Sequence, residues 1–193
     1  RRRDWESSRD SAPFDLRRLR LGAKGAGMEL VETNIEDARW EAFGLTAQAE
    51  RAGRATLAVL GLPVPGFAIS LMGCDDARIA LLNADFRGKP TPTNVLSWPS
   101  EERAPEFVGE APERPEPGDL DDPEPLGDIA IAWETCAREA AEQDKPMADH
   151  VLHLLVHGVL HLLGYDHIDD DDAELMEETE RQILAQLGIA DPY

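Results

Sequence analysis

The chain has 193 residues, 42% of them hydrophobic, and its 39 acidic and 19 basic residues give a formal net charge of −20. This length suits one domain with a substantial core, and the charge makes general binding to phosphate backbones unfavourable. The longest strongly apolar run, around residues 151–163, is too short to span a bilayer, and no segment has an export signal. We therefore expect a cytoplasmic protein without membrane contact, whose two cysteines, Cys74 and Cys136, are free thiols.

The first 27 residues differ from the rest in charge. They carry a net charge of +4, whereas the remainder carries −24. Their weak hydrophobic periodicity predicts a disordered or non-native N-terminal extension, with an Arg-rich arm that touches RNA as the alternative. We expect the folded domain to span residues 28–193.

Short strand-like runs then alternate with helical periods. The predicted strands are 28–32, 66–72, 95–98 and 127–133, and the predicted helices are 37–60, 75–86, 134–143, 147–163 and 171–187. Residues 101–126 contain ten acidic residues and six prolines, which predicts a flexible acidic loop. The pattern indicates an α/β (α+β) domain, with a small mixed sheet of about four strands packed with helices.

All five histidines lie between residues 150 and 167. His153, His157 and His161 are spaced to form one stripe on the predicted helix 147–163, whose other residues are mostly apolar. Imidazoles on a buried helix need partners, and a metal ion satisfies several of them at once. Core histidines that are satisfied by protein groups are the alternative.

Gly164 follows the helix and permits a left-handed turn, which would bring His167 back towards His157 and His161. Three imidazoles leave the fourth tetrahedral position of zinc for water. The spacing therefore predicts one catalytic zinc ion per chain at the C-terminal end of a buried helix, with a zinc-bound water as nucleophile. The same ligands also suit nickel or copper.

The sequence leaves more than one role possible for other polar residues near these ligands. Asp166 would accept a hydrogen bond from an imidazole, or it is a solvated turn residue. His153 would orient a ligand or serve a structural purpose, and no role is predicted for His150.

The histidine spacing also matches the metzincin protease signature H-E-x-x-H-x-x-G-x-x-H, in which the glutamate is the general base. Gly158 occupies the position of that glutamate, and glycine cannot transfer a proton. This substitution makes peptide hydrolysis an alternative rather than the leading hypothesis.

Residues 157–167, with the sequence HGVLHLLGYDH, closely resemble the signature of the YbeY family of zinc-dependent single-strand endoribonucleases. Residues 83–89, 92–97 and 126–131 are similar to further family blocks, and so is the carboxyl end with Asp191-Pro192-Tyr193. The resemblance spans roughly residues 28–193. It implies a YbeY-like metal hydrolase that acts in late maturation of small-subunit ribosomal RNA and in ribosome quality control.

The resemblance also implies site residues and partners. Arg87 matches the functional arginine of the family, and a guanidinium there would stabilise negative charge on phosphate oxygens in the transition state. The alternative is a surface arginine that follows a helix. Lys89 is a candidate contact for RNA phosphate, whereas Asn94 and Ser97 are expected to shape the loop.

The expected partners are single-stranded ribosomal RNA and the ribosome or its associated proteins. The alternative functions are a zinc metalloprotease-like hydrolase and a non-catalytic ribosome-maturation factor with a structural metal. A structural metal would need a fourth protein ligand from Cys74, Cys136 or His153.

Overall fold

A computed structural model describes residues 29–193, so the predicted extension 1–27 and Met28 lie outside the described residues. Four strands and six helices make up the described part. In chain order they are β1 (Val31–Ile35), α1 (Ala38–Phe43), α2 (Leu45–Val59), β2 (Phe67–Cys74), α3 (Asp76–Arg87), β3 (Val95–Pro99), β4 (Glu124–Ala132), α4 (Trp133–Glu142), α5 (Met147–Leu162) and α6 (Asp170–Gln186).

The strands form one mixed sheet in the order β1-β2-β4-β3. Strands β1 and β4 run parallel to β2, whereas β3 runs antiparallel to β4 at one edge. The predicted α/β class with a small mixed sheet of about four strands is confirmed.

Alternate residues of the central strands contact helices on opposite faces of the sheet. Ile129 and Ile131 of β4 belong to the main core, together with apolar residues of α2, α5 and α6. Ala130 and Ala132 belong to a second cluster, in which α3 contributes Ile79. The helix that carries the histidine stripe therefore packs on one face of the sheet, and α3 packs on the other.

The predicted helix 37–60 is wrong as a single element. Gly44 has a φ of 82°, in the left-handed region, where it ends α1 and the chain restarts as α2. Trp40 before the break and Leu45 after it are both fully buried. A glycine allows this reversal at little steric cost, so both large side chains reach the core.

Several predicted boundaries are displaced. Strand β1 begins at Val31 rather than residue 28, and Trp133 begins α4 instead of ending β4. Strand β4 begins at Glu124, inside the predicted loop 101–126, because Glu124 pairs with Phe67 at the start of β2. The parallel partner therefore lengthens this strand.

The irregular segment between β3 and β4 is attached to the rest of the chain at three places. The amide of Gly109 donates to Asp172 Oδ1 (2.8 Å), and the amide of Gly118 donates to the Gly66 carbonyl (2.9 Å). Arg114 donates through Nη2 to the Gly61 carbonyl (3.0 Å). This acidic segment is thus held against the domain in spite of its loop composition.

The two cysteines are buried free thiols, as predicted. Burial raises the pKa of Cys74 to about 12. Among residues 29–193, no helix has both the length and the apolar character that crossing a bilayer requires.

Candidate metal centre

Helix α5 positions the histidine stripe. Ten of its sixteen residues are buried, and the stripe lies on the face that is only partly covered. His157 and His161 are separated by about one helical turn, so their rings project side by side, with centroids 4.5 Å apart. The buried helix that was predicted to carry the metal site is therefore present.

The turn after α5 brings the third imidazole to the same place. Gly164 has a φ of 92°, and a side chain there would meet the Arg103 backbone at 2.8 Å. The His167 ring lies 5.2 Å from that of His157 and 5.0 Å from that of His161. One ring nitrogen from each of these three residues lies within 4.8 Å of the others.

Hydrogen bonds fix which nitrogen of each helical ligand faces the centre. His157 Nδ1 lies 2.8 Å from Glu180 Oε1, and His161 Nδ1 lies 3.0 Å from the Tyr165 carbonyl oxygen. A carboxylate and a carbonyl only accept, so both Nδ1 atoms carry the proton. The two Nε2 atoms therefore present lone pairs, and they lie 3.0 Å apart.

Lone pairs at this distance repel each other unless a proton or a cation lies between them. Burial lowers the pKa of His161 to about 4, and the nearby His157 and His167 rings act in the same direction. His161 is consequently neutral at pH 7 and available as a ligand. This donor set fits a metal ion.

Glu180 is a site residue that the sequence reasoning missed. Its side chain has no exposed area, although it is ionised and lies on the acidic helix α6. Burial by itself would raise the pKa of this carboxyl, but hydrogen bonds from His153, His157 and Tyr193 bring it to about 2. A carboxylate behind a metal-binding imidazole fixes its tautomer and orientation.

A signal for Glu180 is present in the sequence. Buried residues of α6 recur at helical spacing: Met176, Thr179, Glu180, Ile183 and Leu184. A glutamate inside such an apolar stripe is unusual and requires a partner. The high acidity of the whole helix hides this signal.

The remaining predicted polar residues occupy different positions. His153 Nε2 lies 3.4 Å from Glu180 Oε2, so it contacts the carboxylate behind His157 rather than the cluster itself. Asp166 Oδ1 accepts from the backbone amide of His167 (2.7 Å). His150 is buried beside Glu139, with Nε2 and Oε2 3.0 Å apart.

A fourth protein ligand for a structural metal is not found within residues 29–193, where the cluster consists of the three predicted histidines. Cys74 Sγ donates to the Ile131 carbonyl, and Cys136 Sγ lies 3.8 Å from the Asn94 carbonyl. His153 is turned towards Glu180.

Gly158 lies where helix α5 packs closely on the sheet. A Cβ atom at this position would lie 3.1 Å from Ile129 Cδ1 and 3.3 Å from Ser97 Oγ. The backbone of α5 thus approaches the sheet closely, and a larger side chain at Gly158 would require Ile129 and Ser97 to shift.

Arg87 and Lys89 lie at the exposed end of α3. The neighbouring Phe86 packs on Trp98 of β3, with ring centroids 4.7 Å apart. On the other face of β3, Ser97 faces α5, and its Oγ lies 3.3 Å from the position that a Cβ at Gly158 would occupy. These contacts connect the Arg87 end of α3 to the histidine helix through one edge strand.

Asn94 stabilises the start of that strand. Its side-chain oxygen accepts from the Val95 amide (2.7 Å), and its Nδ2 donates to Glu139 Oε2 (2.9 Å). The same carboxylate contacts His150 on α5. The predicted loop-shaping role of Asn94 is consistent with these contacts.

Comparison with known proteins places these features in a family. Residues 31–188 match the family model described as endoribonuclease YbeY. The endoribonuclease YbeY of Cereibacter sphaeroides is 69% identical over 164 residues, which cover 85% of this chain and 98% of that protein. The endoribonuclease YbeY of Dinoroseobacter shibae is 60% identical over 163 residues, which cover 84% of this chain and 90% of that protein.

A solution structure of TM1509 from Thermotoga maritima aligns with a TM-score of 0.48 at 18% identity. The alignment covers 84% of this chain and 97% of that one. On the strength of the family match and the sequence identities, the chain belongs to the endoribonuclease YbeY family.

Proposed function

We propose that this protein is a zinc-dependent endoribonuclease that cleaves single-stranded RNA in the cytoplasm. Its role would be the late maturation of small-subunit ribosomal RNA and ribosome quality control. Family membership supports this function, since the relatives with 69% and 60% identity carry the name endoribonuclease YbeY.

One observation carries the metal part of the proposal. The Nε2 atoms of His157 and His161 converge to 3.0 Å while both Nδ1 atoms are engaged by acceptors. His167 completes a set of three imidazoles, which leaves one tetrahedral position for water or substrate. Three protein ligands with an open fourth position are typical of catalytic zinc.

Zinc bound by these histidines would supply Lewis acidity and a water whose pKa is lowered to about 7. The protein's own contribution is positional. Glu180 and the Tyr165 carbonyl hold the rings of His157 and His161 in one tautomer and orientation. The left-handed turn at Gly164 delivers His167 to the same centre.

Arg87 is proposed to act on the phosphate. Hydrolysis of a phosphodiester places extra negative charge on the non-bridging oxygens in the transition state, and a guanidinium stabilises that charge through paired hydrogen bonds. The exposed position of Arg87 at the end of α3 leaves it accessible to RNA. Lys89, exposed two residues later, would add a phosphate contact.

The overall charge limits how RNA can bind. A protein with a net charge of −20 repels a polyanion over most of its surface. RNA would therefore bind through a small basic site that includes Arg87 and Lys89, or within an assembly whose other members supply positive charge. Ribosome-associated proteins with basic surfaces would be partners of this kind.

The test measures metal content and RNA cleavage on the same preparations. We expect the wild-type chain to hold about one zinc per molecule by elemental analysis and to cut a single-stranded RNA more readily than a duplex of the same sequence. His161→Ala should lose the metal and the cleavage together, because it removes one of three ligands. Cleavage at the wild-type rate by metal-free His161→Ala would contradict the proposal.

A further inference from the structure

The carboxylate of Glu180 is completely buried and is approached by hydrogen-bonding groups from three directions. Its Oε1 accepts from His157 Nδ1 at 2.8 Å. Its Oε2 accepts from the hydroxyl of Tyr193 and lies 3.4 Å from His153 Nε2. The two oxygens therefore have different partners, because Oε1 faces the ligand histidine and Oε2 faces Tyr193 and His153.

Tyr193 does not fill the core, since 55% of the residue's area is accessible. Burial of apolar surface therefore explains little of its placement. Its hydroxyl reaches inward to Glu180. The hydrogen bond is the specific contact that this residue makes.

Several contacts keep the Tyr193 ring and its segment in place. Arg181 lies over the ring, 5.1 Å from its centroid, and the His153 ring packs edge-on at 5.8 Å. The Tyr193 amide donates to Asp191 Oδ1 (3.0 Å), and Lys145 Nζ donates to the Pro192 carbonyl (3.3 Å). The hydroxyl is thus presented to Glu180 by a segment that contacts α6 through Arg181 and the turn between α4 and α5 through Lys145.

We propose that Tyr193 is a positioning residue for the metal centre, which acts through Glu180 on His157. The Tyr193 hydroxyl occupies Oε2 and prevents the carboxylate from rotating, so that Oε1 stays aligned with His157 Nδ1. The imidazole then keeps its Nε2 lone pair directed at the centre of the histidine cluster, where the metal would be held. This inference rests on the proposed metal centre.

The effect on metal retention follows from this geometry. Loss of a group that orients a ligand typically weakens metal binding by about 10- to 100-fold. Tyr193 is one hydrogen bond further from the metal than Glu180, so its loss should have the smaller effect. Tyr193→Phe is a clean change, because it keeps the ring that contacts Arg181 and His153 and removes only the hydroxyl.

The experiment loads the 193-residue chain with zinc and follows the release of zinc to an excess of a chromogenic chelator. We expect Tyr193→Phe to release zinc about 3- to 10-fold faster than wild type, and Glu180→Gln to release it faster still. Glu174→Gln, at an exposed glutamate of the same helix, should match wild type. Cobalt-substituted Tyr193→Phe should also show an altered visible absorption spectrum, which a residue that only covers the site would not change.

The outcomes separate the two proposals. If wild type retains zinc and Tyr193→Phe matches it in release rate and cobalt spectrum, the positioning role is wrong and the metal centre stands. If wild type takes up neither zinc nor cobalt, the metal centre itself is wrong, and the positioning role is wrong with it. Because Tyr193 is exposed, its variant tests the inference even if Glu180→Gln fails to fold.

Discussion

Helix α5 and the end of helix α3 contact opposite faces of strand β3, and their candidate functional side chains are held very differently. In His157 and His161, the nitrogen that faces away from the cluster, Nδ1, donates a hydrogen bond to a protein acceptor. Arg87 in the last turn of α3 and Lys89, two residues further along the chain, are exposed. We call the region of His157 and His161 the metal side and the region of Arg87 and Lys89 the phosphate side, after the roles proposed for them. The ligand rings of the metal side are held by hydrogen bonds, whereas the side chains of the phosphate side are exposed.

This difference matches the chemistry that we propose for each side. A metal ion requires three nitrogens within a fraction of an ångström of their positions, and hydrogen bonds from surrounding groups provide that accuracy. A long, flexible arginine or lysine side chain can adjust its position to contact a phosphate when the RNA binds. Changes on the metal side should therefore affect folding and metal binding as well as cleavage, and changes on the phosphate side should affect only RNA binding and cleavage.

The largest expected effect is on the metal side, from Gly158→Glu, which restores the glutamate of the protease signature. The new side chain would enter the contact of α5 with Ile129 and Ser97 and bury a carboxylate in closely packed, mostly apolar surroundings. We expect a loss of about 3 kcal/mol or more in the free energy of unfolding, measured by chemical denaturation, and no digestion of casein.

Gly158→Ala is the graded control for this change. It adds only the Cβ atom at 3.1 Å from Ile129, so its destabilisation should be clearly smaller. A stable, proteolytically active Gly158→Glu protein would show that the close packing of α5 on the sheet is not what excludes the glutamate.

On the phosphate side, Arg87→Ala should lower the rate of RNA cleavage by about 100-fold, since it removes charge stabilisation in the transition state. Zinc content and the thermal unfolding midpoint should stay at wild-type values, because Arg87 is exposed. Arg51→Ala, at an exposed arginine of α2, is the matched control. Metal loss in Arg87→Ala would contradict the separation of the two sides.

Lowering the pH should reduce the free energy of unfolding through the histidine cluster, with a moderate effect. His161 has a folded pKa of about 4, below its ordinary value of 6.5, so the unfolded chain binds a proton that the folded chain does not bind between these values. Metal-free protein should therefore lose stability as the pH falls from 6.5 to 4, by up to about 3 kcal/mol from this residue.

Glu180, with a folded pKa of about 2, adds a further loss as the pH falls from about 4.5 to 2. Denaturant unfolding at a series of pH values measures the stability lost in each of these two pH ranges. His161→Asn should reduce the loss of stability between pH 6.5 and 4. A wild-type free energy of unfolding that stays constant over this range would contradict the argument that burial lowers the pKa of His161.

The smallest expected effect comes from Lys89→Ala. Removal of one exposed phosphate contact should weaken RNA binding a few-fold and lower the slope of log affinity against log salt concentration by about 1. RNA-binding titrations at several salt concentrations measure this slope, with protein from which a chelator has removed the metal so that the RNA is not cleaved. An unchanged slope would remove Lys89 from the RNA-binding surface.

Much of the fold follows from local patterns in the sequence. Strand alternation and helical periods place most elements within a few residues, and the histidine spacing with Gly164 predicts the cluster that the structure forms. The break at Gly44 escaped this reasoning, because a helical period continues across a glycine that is needed for tertiary packing.

Glu180 and Tyr193 escaped it for another reason. Their roles depend on α6 packing beside α5 and on residues 191–193 folding back, and neither relation has a local pattern. The strand order, which places β4 between β2 and β3, is likewise set by long-range pairing.

The sequence separations of these contacts have a consequence for the order of folding. The metal side joins residues that are close in the chain: 4 positions separate His161 from Tyr165, and 23 separate His157 from Glu180. The centre of the sheet joins Cys74 to Ile131, 57 positions away. Closing the longer loop costs more chain entropy and slows folding, so the α5–α6 hairpin can bring its histidines together before the sheet that supports it is complete.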